Sequence, residues 1–476
     1  MMYQKKMRIW LRWTVGCLVF WFAGFPSAVI GNDGSDSGGV FQDRPNVVLI
    51  ISDDQRWSDY GFMEHPLIET PNLDHLARQS ALFRRGYVPT ALCRASLMTL
   101  ITGRYASEHR TCGNDPLVRK GGPANARQLK EQVIANLDRF QPIPKVLGNL
   151  GYLSHQSGKW WEGHFKRGGF THGMTLGLGN TPRGRHGDLG LTIGRQGMQP
   201  IEDFLDEAVA EKKQFFLWYA PFLPHTPHNP PKRLLAKYAD KELPSPIKKY
   251  AAMCTWFDES CGELISLLEH KKLRANTMIV YVCDNGWVST VKGSNAPDNW
   301  NAPYAPRTKR SPYDGGVRTP IMFNWPRKIQ PQDRTELVSS LDIYPTILSA
   351  AAAPQIEDLP GINLLPYLES GERIPRQTLF GEAFGHDIQQ LENPESSLLN
   401  RWCIDGNWKL IVSYRDDLQG GSKIVRQAQV AVPQLFRLDE DPLERQNIAE
   451  LHPSVVQRLM EKIEGWYPVQ KTMVVR

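Results

Sequence analysis

The chain has few cysteines and no repeated pattern, and both features narrow its class. It carries seven cysteines in 476 residues, which is too few for a disulfide-dense scaffold. Cys254 and Cys261 fall on one predicted helix about 10 Å apart, which is too far for a bridge. The sequence contains no heptads and no internal repeats, so coiled coils and repeat arrays are excluded.

The chain also lacks a large excess of charge of either sign. Its formal charge is +6, and four basic residues near the N-terminus, with no acid among them, leave about +2 for the remainder. Those four are Lys5, Lys6, Arg8 and Arg12. Nucleic-acid binding needs a clustered basic face that neutralises phosphates. We therefore expect no nucleic-acid partner, and any recognition of an anion has to be local.

Outside its N-terminus the sequence has no apolar run long enough to suggest a membrane span. The N-terminus itself has a basic stretch ending at Arg12, an apolar run over residues 13–25 and small or polar residues after it. This order is typical of an export signal. An uncleaved anchor is the alternative, but the run is shorter than the roughly 20 residues that span a bilayer. We predict a signal peptide over residues 1–31, a periplasmic or secreted protein, and no stable membrane insertion.

The remaining composition is that of a globular enzyme. Hydrophobic residues make up 41% of the chain, with 14 tryptophans and 35 prolines, which argues against disorder or a collagen-like fold. A chain of this length can bury one large core and a smaller one. Composition shifts to alanine, proline and turn residues over 351–375. We therefore predict a catalytic domain over 45–370 and an α+β C-terminal subdomain over 371–476.

Two apolar runs end in the same way. Residues 46–51 are apolar and β-branched and lead into Ser52, Asp53 and Asp54, while residues 277–283 lead into Asp284 and Asn285. Continuous apolar runs of this length predict strands that are buried on both faces.

Helical periodicity separates these strands. We predict helices near residues 125–138, 201–212 and 247–270, and another buried strand near residues 214–219. Alternating helices and buried strands predict an α/β doubly wound sheet, in which ligands bind beyond the carboxyl ends of the strands. The two acidic pairs lie at that edge.

The residues at this edge offer only oxygen ligands. Asp53, Asp54, Asp284 and Asn285 suit a hard cation, with calcium the first choice and magnesium the second. The alternative is that each pair caps the helix that follows its strand. The presence of two matching pairs favours the metal.

Two motifs resemble those of the sulfatase family. From Cys93 the chain reads Cys-Arg-Ala-Ser-Leu, with Thr102-Gly103 in the expected register. The family pattern is Cys or Ser, any residue, Pro, Ser and Arg, followed later by Thr-Gly. The second motif, Gly-Tyr, five residues and Gly-Lys, is complete from Gly151 to Lys159.

The resemblance continues in family order and spans roughly residues 45 to 450. Its further segments are Pro-His-Thr-Pro over 224–227, Asp-Asn-Gly over 284–286, the run over 309–318, and the run over 434–444. Any one of these motifs is weak, but their order makes the identification specific.

The resemblance implies an alkaline-phosphatase-like fold in which a modifying enzyme converts Cys93 to formylglycine. It assigns calcium to Asp53, Asp54, Asp284 and Asn285, with residue 93 beside the ion as a further ligand. By the same resemblance, Lys159 and Lys309 bind sulfate oxygens and His225 protonates the leaving oxygen.

The chain departs from the family pattern at three positions. Ala95 stands for proline, Leu97 for arginine, and Trp161 for the histidine of Gly-Lys-Trp-His. Leu97 cannot supply charge, and Arg94 is the nearest residue that could place a guanidinium there from another direction. These departures bear on whether Cys93 is converted.

The resulting hypothesis is hydrolysis of sulfate esters, with a sulfated carbohydrate or small molecule as the substrate. Phosphate or phosphonate ester hydrolysis is the alternative among enzymes, because one fold can host both reactions. A non-catalytic glycan-binding protein is a third interpretation. Aperiodic stretches over 171–200 and 288–310 are candidate substrate-selecting loops, or else solvated insertions.

Overall fold

The computed structural model describes residues 44–118, 122–177, 186–287, 307–414 and 433–469. The predicted signal peptide lies outside these residues, as do most of the 288–310 stretch and part of the 171–200 stretch. Every element below belongs to one unit of the chain that begins at Arg44.

Fifteen strands are described. They are β1 Asn46–Ser52, β2 Ala81–Tyr87, β3 Asp115–Pro116, β4 Leu153–Gly158, β5 His172–Gly173, β6 Phe215–Ala220, β7 Thr277–Cys283, β8 Arg318–Asn324, β9 Gln332–Arg334, β10 Val338–Ser339, β11 Thr378–Phe384, β12 Asp387–Ile388, β13 Leu398–Asp405, β14 Trp408–Ser413 and β15 Gln434–Arg437.

Twelve α-helices are described. They are α1 Pro71–Arg78, α2 Cys93–Thr102, α3 Ala106–His109, α4 Gly122–Ile134, α5 Ile143–Gly148, α6 Gln199–Ala210, α7 Lys232–Ala236, α8 Ser245–His270, α9 Asp314–Val317, α10 Ile343–Ala350, α11 Leu365–Ser370 and α12 Pro453–Trp466. Short 3-10 helices connect several of them, including Ala135–Arg139 and Asp188–Thr192.

A nine-stranded sheet forms the centre of the molecule. Its order is β10-β2-β8-β7-β1-β6-β4-β5, with β9 also paired to β2. β1 pairs in parallel with both β6 and β7, and β8 runs antiparallel to its neighbours β2 and β7. The predicted doubly wound α/β sheet is confirmed, and both acidic pairs follow central strands of it.

Both faces of this sheet are covered by helices. Along β1, Val47, Leu49 and Ile51 belong to one buried apolar cluster, while Val48 and Ile50 belong to the other. Side chains of α2, α5 and α10 complete the first cluster, and side chains of α1, α6 and α8 complete the second. Alternate residues of a strand point to opposite faces, so burial on both sides explains why the interior of β1, residues 47–51, is entirely apolar.

A second, antiparallel sheet has the order β11-β13-β14-β15. Helix α12 packs on it through Leu459 and Ile463, which contact a cluster that includes Cys403 and Leu410. This sheet and helix form the expected small C-terminal α+β subdomain, whereas the predicted boundary at residue 370 stays a prediction.

Two further expectations concern cysteines and membranes. The six cysteines within the described ranges are all free and buried. Across the same ranges, no helix combines the length and the apolar character that crossing a bilayer requires.

Candidate active site

The site begins where β1 and β7 end side by side. Ser52 is aligned with Cys283 in the parallel register, so the residues that follow each strand are neighbours. The backbone N–H of Asp54 donates to Asp284 Oδ1 at 3.1 Å, and the N–H of Asp284 donates to the Ser52 carbonyl at 2.9 Å. Asp54 has a positive φ of 61°, an uncommon conformation for a residue other than glycine.

Cys93 is the first residue of α2 and is 2% exposed. Its Sγ lies 3.7 Å from Asp54 Oδ1 and 2.6 Å from Lys309 Nζ. The positive end of a helix dipole and a lysine therefore both face the side chain of residue 93. This position suits a group that becomes negatively charged.

Lys159 follows β4, and a glycine makes its position possible. Gly158 has a φ of +89°, and a Cβ there would lie 1.9 Å from the Ala220 carbonyl oxygen of β6. The N–H of Lys159 donates to that carbonyl at 2.7 Å. Its Nζ donates to Asp53 Oδ1 at 2.5 Å and to Asp284 Oδ2 at 3.3 Å.

Lys309 reaches the same centre from the segment before α9. Its N–H donates to the Trp287 carbonyl at 3.2 Å, and the next residue, Arg310, donates to the Ala91 carbonyl at 3.0 Å. The Lys309 ammonium also forms an ion pair with Asp54. Two lysines that are 150 positions apart in the sequence therefore meet at one buried cluster.

His225 lies at the edge of the cluster. Its Nε2 is 3.4 Å from Asp54 Oδ2, and its Nδ1 is 2.6 Å from the Thr226 carbonyl oxygen. A carbonyl oxygen only accepts, so Nδ1 carries the proton of that hydrogen bond. The ring stacks on Phe222 at a centroid distance of 4.2 Å, which fixes the direction of Nε2.

Burial and charge act in opposite directions on the ionisable groups. Burial alone would raise the pKa of Asp54, but Lys309, His225 and Lys159 together hold it below its usual value. Burial likewise would lower the pKa of each lysine, yet the nearby carboxylates raise both above the ordinary lysine value. Both ammonium groups thus stay charged and can bind an anion.

The pKa values of Cys93 and His225 shift in the directions that favour the neutral thiol and the neutral imidazole. Burial raises the pKa of the Cys93 thiol to about 12, although Lys159 and Lys309 oppose it. Burial lowers the pKa of His225 below the ordinary histidine value, with Asp54 partly offsetting the effect. An unmodified Cys93 is therefore almost entirely a thiol near neutral pH and a weak nucleophile.

The donor set fits a hard cation. Asp53 Oδ2 and Asn285 Oδ1 are buried oxygens with no hydrogen-bond partner in the described part of the chain, and such groups are costly unless something binds them. Asp53, Asp54, Cys93 and His225 each place one possible ligand atom within 4.8 Å of the others. Asn285 joins them through its Nδ2, which donates to Asp54 Oδ1 at 2.6 Å.

The structure thus brings together every residue that the sequence proposed for the site, with Asp284 contacting Asp54 N–H and Lys159. The interpretation of Arg94 is wrong. Its Nε and one terminal nitrogen bind Glu162 at 2.8 and 2.7 Å, and the other terminal nitrogen binds the Asn114 carbonyl at 3.2 Å. All its nitrogens are engaged away from Cys93, and Leu97 packs in the apolar core.

Sequence reasoning missed two aromatic residues at the mouth of the site. The His186 ring lies 6.4 Å from the His225 ring and 4.0 Å from the Trp161 ring, and it stacks on Phe222 at 5.9 Å. His186 belongs to an aperiodic stretch, where no pattern predicts position. Phe222 precedes His225 by three residues, and this proximity to a motif histidine was the available signal.

Two family models match the chain. The model described as sulfatase matches residues 45–353, and the model described as N-sulphoglucosamine sulphohydrolase, C-terminal, matches residues 307–466. Together they cover the main sheet, every residue of the site and the second sheet.

Individual relatives agree with the models. N-acetylgalactosamine-6-sulfatase of Canis lupus familiaris is 26% identical over 441 residues, which cover 84% of this chain and 81% of that protein. Arylsulfatase A of Homo sapiens is 28% identical over 380 residues, which cover 71% of this chain and 70% of the relative.

The fold has solved counterparts. The crystal structure of Ps i-CgsB superposes with a TM-score of 0.66 at 24% identity, covering 89% of this chain and 92% of that one. This likeness confirms the predicted alkaline-phosphatase-like architecture of the chain.

Proposed function

The chain belongs to the sulfatase family of sulfuric ester hydrolases, and from this premise we propose that it releases sulfate from sulfated carbohydrate at the site around Cys93. The observation that carries the proposal is the meeting of two charged lysines at the buried carboxylate cluster beside Cys93. Lys309 Nζ lies 2.6 Å from Cys93 Sγ, and Lys159 lies on the same carboxylate cluster. A buried pair of cations beside a nucleophile suits a tetrahedral anionic ester.

We infer that Cys93 acts after oxidation to formylglycine by a separate modifying enzyme. The aldehyde adds water to give two hydroxyls on one carbon. One hydroxyl attacks sulfur and displaces the alcohol, and the other then loses its proton, expels sulfate and restores the aldehyde. The raised pKa of the thiol, at about 12, supports this proposal because an unmodified Cys93 would be a poor nucleophile at neutral pH.

The proposed roles of the lysines follow from their charge. Lys159 and Lys309 hold their protons, because the surrounding carboxylates raise the pKa of both groups despite burial. They would bind sulfate oxygens and the charge that develops on them as the ester bond breaks. Water is largely excluded, since Lys159 is 1% exposed and Lys309 is 4% exposed, and exclusion strengthens each contact.

His225 is the proposed proton donor. Its Nδ1–H is held by the Thr226 carbonyl, so only Nε2 can transfer a proton. Donation therefore requires the protonated imidazole, which the nearby Asp54 carboxylate favours against the effect of burial. A sugar alkoxide is a poor leaving group, and protonation of its oxygen by a positioned imidazole assists its departure. Stacking on Phe222 keeps the ring in the orientation that this transfer needs.

We propose that Asp53, Asp54, Asp284 and Asn285 hold calcium, with magnesium as the second choice and residue 93 beside the ion. The two buried oxygens without partners, one on Asp53 and one on Asn285, support this assignment. A bound divalent cation would attract the sulfate oxygens and acidify the attacking hydroxyl.

The proposed substrate class is a sulfated sugar of a glycosaminoglycan. The support is the activity named for relatives of this chain, N-acetylgalactosamine-6-sulfatase. A 6-O-sulfated N-acetylhexosamine is therefore the first compound to test.

We also propose that the protein is exported and loses residues 1–31, and that residues 45–370 and 371–476 act as catalytic domain and subdomain. N-terminal sequencing of the protein recovered outside the cytoplasm would test the cleavage. A mature N-terminus at residue 1 would contradict it.

The reaction is tested by following inorganic sulfate released from 6-O-sulfated N-acetylgalactosamine, with the matching 6-phosphate as the comparison. The protein has to be produced together with a formylglycine-generating enzyme. Sulfate release that Cys93→Ala abolishes is the expected result. Faster phosphate release would favour a phosphoesterase. Tight binding without any turnover would favour a glycan-binding protein, the interpretation that Ala95, Leu97 and Trp161 support.

A further inference from the structure

We propose that a cleft beside the catalytic pocket binds a second, acidic sugar of the substrate, next to the sugar whose sulfate ester lies at residue 93. The inference rests on the proposed function and deepens it. The cleft has a volume of about 390 Å³, within the range of sites that bind small molecules. Its lining includes Arg127, Lys130, Trp161, His164, Arg167 and His186.

His186 and Trp161 form the wall between the cleft and the catalytic pocket. The two rings are 4.0 Å apart and nearly perpendicular, at 84°. On its other side, His186 lies 6.4 Å from the proposed acid His225. A ligand that extends from the catalytic pocket past His186 therefore enters the cleft along the Trp161 ring.

This wall has a fixed position relative to the catalytic lysine. The Trp160 N–H donates to the His186 carbonyl at 2.9 Å, and His186 has a positive φ of 76°. Beside it, Gly187 packs so closely on the end of β4 that a Cβ would lie 2.5 Å from the Gly158 carbonyl oxygen. These contacts hold His186 at a fixed place beside the segment that carries Lys159.

The charged side chains that line the cleft indicate which kind of ligand it can bind. Arg94 is neutralised by Glu162, and Arg167 is neutralised by Glu131 and Asp138. These pairs leave the cations of α4 as the groups that can recognise a ligand.

Two exposed cations on α4 are available for this role. Arg127 has no ion pair with any residue that the structure describes, and Lys130 lies 4.0 Å from Asp115 with 48% of its side chain exposed. Because both face a cleft with an aromatic wall, the ligand is a pyranose that carries a carboxylate or a sulfate group. Arginine in particular binds a carboxylate through two parallel hydrogen bonds.

The kinetic test compares three substrates that contain the same scissile sulfate ester. They are 6-O-sulfated N-acetylgalactosamine alone, the same sugar linked to a hexuronic acid, and the same sugar linked to a neutral hexose. For the double variant R127Q/K130Q we expect about a tenfold rise in KM for the hexuronic acid disaccharide, with kcat and the other two substrates unchanged within about twofold. The control R78Q removes an exposed arginine from α1, outside this cleft, and should change none of the three.

A binding measurement separates this inference from the proposed function. Titration calorimetry with C93A, with and without R127Q/K130Q, measures binding of the hexuronic acid disaccharide and of the neutral hexose disaccharide in the absence of turnover. Weaker binding by the triple variant supports the cleft even if no ester is hydrolysed. Equal binding by both proteins, or equal loss for the acidic and the neutral disaccharide, would overturn the proposal.

Discussion

Lys309 makes the most informative single contact in the molecule, because its ammonium touches both Cys93 and Asp54. Removal of one preorganised charge of this kind typically costs 10² to 10³ in kcat. We expect Lys309→Ala to lose kcat by about that factor, measured as sulfate release from 6-O-sulfated N-acetylgalactosamine. A thermal melt close to that of the unchanged protein would show that the fold survives, and a rate near that of the unchanged protein would contradict the role.

His225 can be tested through the leaving group. A phenolate departs without help, whereas a sugar alkoxide needs a proton. We expect His225→Asn to reduce hydrolysis of the sugar ester at least about tenfold more than hydrolysis of a nitrophenyl sulfate, both measured as kcat. Equal losses for the two esters would mean that the ring positions the substrate and does not donate a proton.

At the residue scale, the sequence predicted the positions of site residues correctly where the backbone of a regular strand determines them. Asp53, Asp54, Asp284 and Asn285 follow adjacent parallel strands, so their proximity could be predicted from the two apolar runs. Arg94 failed because adjacency in sequence does not give the direction of a side chain, and its guanidinium turns to Glu162. His186 could not be found, since its place depends on packing against Trp161 and Phe222.

At the scale of elements, the end of β4 depends on a glycine. A methyl group on Gly158 would collide with the Ala220 carbonyl of β6, and the φ of +89° disfavours any other residue. We expect Gly158→Ala to lower the free energy of unfolding by several kcal/mol and to displace Lys159.

Gly148 provides the matched control for this substitution. It ends helix α5 and has open space around its Cα, so Gly148→Ala should be neutral or stabilise by up to about 1 kcal/mol. Urea unfolding measures both variants. Similar effects of the two substitutions would contradict the proposed close packing.

Glu382 on β11 links that strand to α3 by accepting the Ser107 N–H at 2.8 Å. Burial raises its pKa to about 7, above the unfolded value of about 4.3. The folded protein then holds a proton that the unfolded chain has lost, so this contribution to stability is present below pH 4 and is lost as pH rises towards 7.

Glu382→Gln should remove this dependence on pH, because an amide does not ionise. Relative to the unchanged protein, the variant should gain on the order of 2 kcal/mol in unfolding free energy between pH 5 and pH 8. Urea unfolding of both proteins at pH 5 and at pH 8 measures this gain. A difference in unfolding free energy that is the same at the two pH values would contradict the raised pKa of Glu382.

Element boundaries show what periodicity can and cannot give. Helix α8 and strand β7 begin and end within two residues of the predicted limits, because long apolar patterns define them. The helix predicted over 125–138 is instead α from Gly122 to Ile134 and 3-10 from Ala135 to Arg139. Local hydrogen bonding decides where the α-helix gives way to a 3-10 helix, and the hydrophobic pattern does not distinguish the two helix types.

For the whole molecule, the cation proposal predicts a change in global stability. Three carboxylates, those of Asp53, Asp54 and Asp284, meet at one edge of the main sheet. A ligand that binds only the folded chain raises the free energy of unfolding by about 2.7 kcal/mol when its concentration is a hundred times its Kd. We expect calcium to raise Tm relative to a chelator, and to do so more than magnesium.

Asp53→Asn is the control for this experiment. The variant removes one carboxylate charge but keeps the side-chain shape, so its Tm should respond much less to calcium. Calorimetry with calcium, magnesium or chelator measures both proteins. An identical Tm in all three conditions would exclude the proposed cation site.

At this scale, the sequence indicated the class of the main sheet and the presence of a second α+β part. It did not indicate that β8 runs antiparallel between β2 and β7, because strand order depends on long-range pairing that hydrophobic patterns do not encode. Spacing likewise did not predict how the second sheet is joined to the segment after Lys309. The joining contacts are buried ion pairs of Lys409 on β14 with Asp314 and Glu444.

The central claim is that residue 93 acts as formylglycine despite Ala95 and Leu97. Mass spectrometry of the peptide that contains residue 93, taken from a preparation with measured sulfate release, tests it directly. The account predicts an aldehyde in place of the thiol, in a fraction that rises in proportion to specific activity. Full activity from a preparation in which Cys93 is entirely an unmodified thiol would contradict it.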